Sequence, residues 1–322
     1  MLSSMYVATT SSSNMTTFFR SGATALISGG ASGVGFAMAQ LCRNHGMHIA
    51  LIDYNTSNLQ AAQKALSGTS DLKTETYQLD VGDLSAWKAI LPKVQSTFPS
   101  LDLLMLNAGT SVNPSTKQPY EDVEYFQKTL NTNMYGVING LATFLPMLQD
   151  SAKSSKDRGS HSVIITGSKQ GITNPPGAQN PAYNMSKSAI KTLAEHLAHD
   201  LRTEKSPSYS PGISVHLLIP GWTYTGLSGN SGPTPSKEQL AKKNDGAWLP
   251  AQVAEYAEKK IGQGKFYIVC PDNDVDEALD MARMEYAIGD VVQGRSALSR
   301  WDAKYEKKAA DEIKKRADEL RK

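Results

Sequence analysis

At 322 residues the chain is long enough for one large α/β domain with a well-buried core, or for two small domains. Its composition is that of a soluble globular protein, 40% hydrophobic and 20% charged, and 33 basic against 31 acidic side chains leave a formal charge of +2, which gives neither nucleic acid nor an anionic membrane a reason to bind. No apolar run nears the roughly 20 residues of a membrane span, and two distant cysteines, Cys42 and Cys270, suit a reduced, cytoplasmic protein.

Residues 1–20 are rich in Ser and Thr, carry one charge at Arg20 and lack the basic and apolar regions of a secretory signal. They read as a disordered leader; a mitochondrial presequence would want more arginine. From there β-branched runs alternate with helical patterns. Candidate strands are 23–28, 48–53, 76–80, 102–107, 162–167, 213–219 and 265–270. This rhythm predicts a single domain over 21–295, with a mainly parallel, seven-stranded sheet covered by helices on both faces. The strands are nearly continuous apolar runs, which predicts burial on both sides. Between the first two, Phe36, Ala37, Ala39, Gln40 and Leu41 suit a helix that Asn44 and Gly46 would end.

Two stretches break the rhythm. Residues 151–161 are polar and predict an exposed loop. Residues 226–247 are rich in Gly, Ser, Pro and Lys and predict a mobile lid, around 222–250, beyond the sixth strand. The tail, 296–322, is helical and highly charged, with Trp301, Tyr305, Ala309, Ile313 and Ala317 forming a narrow apolar stripe. That stripe suits packing on the chain's own body or contact with another subunit.

Ser28-Gly29-Gly30-Ala31-Ser32-Gly33-Val34-Gly35 joins the first strand to the first helix. Glycines let a backbone turn sharply and come close to a pyrophosphate, and the helix start offers free N–H groups to the anion. A glycine cluster alone is weak, because turns use glycine anyway; strand before and helix after are the context the motif requires. Asp53 then ends the second strand. A carboxylate there accepts hydrogen bonds from the adenosine ribose hydroxyls and repels a 2′-phosphate, which favours NAD(H) over its phosphorylated form. The bland alternative for Asp53 is an ordinary turn residue.

Tyr183-Asn184-Met185-Ser186-Lys187 sets a phenol and an ammonium one helical turn apart on the same face. A free tyrosine is a poor base at neutral pH, and a nearby cation favours its phenolate, which predicts a lowered pKa and an acid/base role for Tyr183. Spacing alone is not decisive, since Tyr256 and Lys260 share it.

Taken together these residues resemble the short-chain dehydrogenase/reductase family. The glycine turn matches its Thr-Gly-x-x-x-Gly-x-Gly element, with Ser28 in the threonine's place, and the spacing is similar to the compact single-domain branch; the extended branch would have glycine where Ser32 stands. Asn107-Ala108-Gly109 matches the family's Asn-Ala-Gly, Asp80-Val81 its adenine contact, Asn133 its helix asparagine, Ser168 its serine after the fifth strand, and Pro220-Gly221 with Thr223 and Thr225 its nicotinamide-end motif. The resemblance covers roughly residues 20–270. It implies a doubly wound Rossmann fold, a homodimer or homotetramer, and hydride transfer without a metal. It also implies roles: cofactor contacts from Ser28, Gly29, Ser32, Gly33, Val34, Gly35 and Asp53 as well as the motifs above, a substrate hydrogen bond from Ser168, and acid/base work by Tyr183. Lys187 would bind the nicotinamide ribose and lower the tyrosine pKa, and Asn133 would hold a water joining Lys187 to bulk solvent.

In isolation Ser168 equally suits a turn cap, Asn133 a backbone partner and Lys187 a surface charge. The polar 151–161 stretch and the Thr-Asn-Pro-Pro-Gly segment lengthen two connections relative to the family. Lys169, Gln170, Pro175, Pro176, Trp222 and Tyr224 are the expected pocket, and aromatic and proline walls suit a small-molecule cyclic or aromatic secondary alcohol or ketone. An NAD-preferring member is expected to run toward alcohol oxidation. The competing readings are a dinucleotide-binding regulator of the same fold without chemistry, and an epimerase or dehydratase that regenerates its cofactor.

Overall fold

The structure, a computed structural model, describes residues 18–68, 71–155, 161–177, 180–228, 232–241 and 243–322. Seven strands, β1 (Thr24–Ser28), β2 (His48–Asp53), β3 (Thr74–Gln78), β4 (Leu103–Leu106), β5 (His161–Thr166), β6 (Ile213–Ile219) and β7 (Tyr267–Val269), form one sheet in the order β3-β2-β1-β4-β5-β6-β7. Every pairing is parallel. The doubly wound, seven-stranded Rossmann architecture expected from the sequence is therefore present.

Alternation along each strand divides the core between the two faces. One face sets Ile27, Leu51, Met105, Ile164 and Leu218 against α1 (Gly33–Asn44) and α9 (Pro250–Gly262), through Phe36, Met38, Val253 and Ile261. The other sets Leu26, Ile52, Leu104, Ile165 and Leu217 against α3 (Leu84–Thr97), α5 (Gly136–Ser154) and α7 (Pro181–Arg202), through Trp87, Phe144 and Ile190. Strands β1 and β4 are buried throughout, as continuous apolar runs require. Strand β3 differs: TETYQ lies at the sheet edge, and only Tyr77 is buried.

The remaining helices are α2 (Thr56–Leu66), α4 (Val123–Leu130), the short α6 (Gln170–Thr173) and α8 (Lys237–Ala241), and the pair α10 (Glu277–Gln293) and α11 (Ala303–Leu320). Asn44 does end α1, and Gly46 follows it at φ +76.

Three sequence expectations change. Most of the leader lies outside the described residues, but Phe18 is fully buried against the first core face and Arg20 pairs with Asp102, so the folded body begins before residue 21. Residues 151–154 continue α5 instead of forming a loop, because Ser151 Oγ donates to the Met147 carbonyl and accepts the Leu101 N–H at 2.9 Å; residues 156–160 lie outside the described set. The tail stripe packs on the chain's own body, one of its two readings, but only in part: Ala309, Ile313 and Ala317 are buried with Ala282 and Tyr286 of α10, making a hairpin. Trp301 instead donates its indole N–H to the Asn174 carbonyl at 2.8 Å, beside the site described below. Among the described residues no helix is long and apolar enough to cross a membrane.

Candidate active site

The strand order reverses between β1 and β4, and parallel sheets bind ligands in the crevice outside the carboxyl ends of the strands at such a point. Ser28, Asp53, Asn107, Ser168 and Pro220 all stand at or just beyond those ends. The turn after β1 needs glycine for two separate reasons. Gly29 and Gly33 have φ of +60 and +53, the left-handed region that side chains disfavour. A Cβ on Gly29 would also stand 2.8 Å from Ala108 Cα, and one on Gly33 3.2 Å from Thr225 Cγ2. The turn thus runs against the Asn107-Ala108-Gly109 strand end on one side and the Pro220–Thr225 segment on the other. Ser32, extended at φ −158, is the N-cap of α1 without a side-chain capping bond, and Val34 is buried behind it.

Polar side chains lock this cradle. Ser28 Oγ accepts the N–H groups of Asn107 (3.0 Å) and Ala108 (3.2 Å). Asn107 donates Nδ2 to the Gly29 carbonyl at 3.3 Å and accepts from Thr166 Oγ1 at 3.0 Å. Asp53 is buried, and its two oxygens accept the N–H groups of Ala31 (3.2 Å) and Asn55 (3.1 Å). It therefore holds both the glycine turn and the start of α2; burial pushes its pKa up, against the pull of those backbone donors. Asp80 is exposed and accepts the Gly82 N–H, while Val81 is buried and its carbonyl takes the indole N–H of Trp87.

Tyr183 and Lys187 stand on the first turns of α7. Asn180 caps this helix by accepting the Tyr183 N–H at 3.0 Å, and Pro181 fits the first helical position, where no N–H is required. Ser168 Oγ accepts the Gln170 N–H at 3.2 Å, and the Ser168 side chain acts on the Tyr183 phenol by pulling its pKa down against the effect of burial. Lys187 Nζ donates to the Thr166 carbonyl at 2.8 Å and lies 5.8 Å from the Tyr183 ring centroid. A Cβ on Gly109 would stand 3.6 Å from that nitrogen and 3.4 Å from Asn133 Oδ1, so glycine keeps the strand end open there. Asn133 is buried in a single π-helical turn (Asn131–Tyr135), a distortion often found at functional sites. Its amide grips Thr110 N and O and donates to Ser186 Oγ at 3.0 Å; Ser186 in turn donates to the Tyr183 carbonyl.

The matching family profile, described as short chain dehydrogenase, covers residues 23–236. The chain belongs to the short-chain dehydrogenase family. The Arabidopsis thaliana 3-dehydrosphinganine reductase TSC10A is 27% identical over 248 residues, 76% of this chain and 70% of that protein. The NAD(+) 15-hydroxyprostaglandin dehydrogenase of Mus musculus is 27% identical over 262 residues, covering 80% and 84%. A short chain dehydrogenase/reductase from Burkholderia phymatum, solved in complex with NAD, has a TM-score of 0.70 at 23% identity, covering 86% of this chain and 96% of that one. This short-chain dehydrogenase is thus an oxidoreductase of a family that binds nicotinamide dinucleotides. Its own residues fit that group: the start of α1, at the end of the glycine turn, carries no side-chain cap at Ser32, so its N–H groups are not taken by that residue's side chain.

For a short-chain dehydrogenase, the titration of the pair departs from the expectation. Burial pushes the Tyr183 phenol up, opposed by the Ser168 hydrogen bond, and pushes Lys187 down to about 8. Desolvation disfavours both charged forms and outweighs the attraction between them. Two pocket expectations also change. Tyr224 is buried and donates its hydroxyl to the Gln239 carbonyl at 2.7 Å, holding α8 instead of lining a wall. Lys169 turns away to Asp272 and Asp280. Trp222, 48% exposed, and Pro176 remain open, Gln170 and Pro175 are half-buried, and Thr223 bridges to Trp248.

Sequence reasoning missed Thr166, Asn180 and Ser186. The Asn-Pro pair at 180–181 was a readable helix-start signal. Thr166 and Ser186 carried none, because their roles arise only when β4, β5 and α7 meet.

Proposed function

We propose that this short-chain dehydrogenase interconverts a secondary alcohol and a ketone with NAD(H), Tyr183 serving as general acid/base. The observation that carries the reading is the Tyr183 phenol and the Lys187 ammonium on one face of α7, with Lys187 Nζ 5.8 Å from the phenol ring centroid and held by the Thr166 carbonyl at the end of β5. When bound, the dinucleotide supplies the hydride acceptor or donor. Ser168 Oγ hydrogen-bonds the substrate oxygen, and Tyr183 Oη takes that oxygen's proton in oxidation and returns it in reduction. Lys187 holds the nicotinamide ribose, and with its pKa near 8 it can exchange a proton close to neutral pH.

Support for NAD over its phosphorylated form comes from the buried Asp53 carboxylate at the end of β2, and from a relative whose name carries NAD(+). The open Trp222 and Pro176 and the withdrawal of Lys169's charge support an apolar substrate, cyclic or aromatic. The segment 222–250 is read as the lid, with Tyr224 anchoring it, and the assembly as a homodimer or homotetramer, which sedimentation would test.

A Tyr183→Phe variant decides the central reading. Turnover of a panel of cyclic, aromatic and long-chain alcohols with NAD is expected to fall by about 10²–10⁴-fold while NADH binding stays unchanged. A dinucleotide-binding regulator would show no turnover in either protein, and wild-type turnover in the variant would remove Tyr183 from the chemistry.

A further inference from the structure

Lys169 follows Ser168 directly, yet its ammonium points away from the phenol. Its Nζ lies 2.6 Å from Asp280 Oδ2 and 3.3 Å from Asp272 Oδ2, with the three side chains only 14%, 3% and 8% exposed. The charges come from three parts of the chain: the turn after β5, the segment after β7 and helix α10. Asp272 Oδ2 also accepts the backbone N–H of Trp222 at 3.1 Å. Gly221 leaves room for this meeting, because a Cβ there would stand 2.6 Å from Asp272 Oδ2 and 2.7 Å from Lys169 Nζ.

On the other side of Lys169, Gln170 donates its N–H to Ser168 Oγ. Gly171 packs so closely on α7 that a Cβ would stand 2.7 Å from Lys187 Cβ, and Ser188 Oγ donates to the Gly171 carbonyl at 2.6 Å. One lysine thus ties the serine turn, the root of the lid and the C-terminal hairpin together. Removing water from three charges is costly, and such a cluster is weak grounds for stability, so its place beside the reacting groups asks for another reason.

We propose that Lys169, clamped between Asp272 and Asp280, is a positioning residue that sets Ser168 and the Gly221–Trp222 segment relative to each other for reaction. This rests on the roles given above to Ser168 and Tyr183. The clamp is strongest while Asp280 is ionised. Asp280 is faced by Lys169, by Asp272, by Tyr256 of α9 and Cys270 beyond β7, and by Glu277 and Arg283 of its own helix. Burial, with a smaller push from Asp272, raises it to about 6 against the pull of Lys169. Below that pH Asp280 is neutral, and Lys169 keeps one carboxylate partner.

The test measures kcat at saturating NAD from pH 5 to 8, with cyclohexanol, α-methylbenzyl alcohol and a long-chain secondary alcohol as probes. Wild-type kcat is expected to drop as the pH falls through about 6. In Asp280→Asn that break near pH 6 should be missing, leaving only the slope that Tyr183 and Lys187 give both proteins. Lys169→Met should lower kcat by about 10–100-fold with little change in KM for NAD, the scale of a displaced catalytic group, and Lys169→Arg should restore part of it. A break near pH 6 that persists unchanged in Asp280→Asn, or wild-type kcat in Lys169→Met, overturns the proposal. Absence of wild-type turnover on every probe would instead strike the functional reading. In that case amide exchange of residues 168–174 and of Trp222 still reads the clamp: faster exchange in Lys169→Met at unchanged global stability supports it, and unchanged exchange refutes it.

Discussion

Replacing Gly35 by alanine sets helix propensity against a collision. Gly35 lies in the first turn of α1, where alanine is intrinsically better than glycine by about 1 kcal/mol. A rule based on propensity therefore expects a more stable protein. The structure expects the opposite: the new Cβ would press into the Gly29 carbonyl oxygen and stand 2.9 Å from its carbon and 2.7 Å from Asn107 Nδ2. Two of these atoms are backbone and the third ends an Asn107 side chain already held by two hydrogen bonds, so the turn itself must move. Forced insertion of a methyl into a packed site costs about 1–3 kcal/mol, which cancels or exceeds the propensity gain. The Gly29 carbonyl is also the acceptor for Asn107, so its displacement spreads to the strand end that faces Tyr183 and Lys187. NADH affinity is expected to fall at least tenfold, equivalent to about 1.4 kcal/mol, as read by fluorescence titration. Gly262, exposed in α9 with nothing within 4 Å of its missing Cβ, is the control. Gly262→Ala should raise the melting midpoint or leave it unchanged, with wild-type affinity. Wild-type NADH binding in Gly35→Ala, together with an unchanged or raised melting midpoint, would refute the steric account of the turn.

Lys187→Met removes a buried cation whose pKa is lowered to about 8 from an ordinary 10.5. The native form then binds fewer protons than the unfolded chain between those values, so wild-type stability should rise with pH across that window. At about 1.4 kcal/mol per unit the rise is on the order of 3 kcal/mol, and chemical denaturation should find it missing from the variant. Asp53→Asn keeps the size but loses the charge that repels a 2′-phosphate; the ratio of NADH to NADPH affinity should shift toward NADPH by about tenfold or more, and an unchanged ratio would remove Asp53 from cofactor choice. Tyr125→Phe deletes the hydroxyl that bonds Asn180 Oδ1 and accepts the buried Ala182 N–H at 3.1 Å. An unpaired buried donor costs about 1–3 kcal/mol, so thermal melting should register a loss, with kcat reduced because the start of α7 loosens.

What could be read from the sequence is what chemistry forces onto particular positions. Gly29 and Gly33 are demanded by a left-handed backbone and Gly35 by neighbours that leave no space, and that demand shows as a motif whatever surrounds it. Tyr183 and Lys187 share a helix, so their spacing alone places them on one face. The strands were legible for a similar reason: a sheet covered on both sides needs continuous apolar runs, and the edge strand β3 departs from them most. Lys169 and Tyr224 were read as pocket walls because they neighbour Ser168 and Trp222 in sequence. Their actual directions are set by groups elsewhere in the chain, Asp272 and Asp280 for Lys169 and the Gln239 carbonyl, 15 residues on, for Tyr224. No local rule supplies Lys169 with a partner 103 residues away, and none shows that Tyr224 turns back onto α8. The titration of Tyr183 escaped for the same reason: the nearby cation is visible as a letter, whereas the dryness that outweighs it is a property of the assembled site. Side-chain direction and desolvation are thus decided together by packing, and both bear on how the proton at Tyr183 is held.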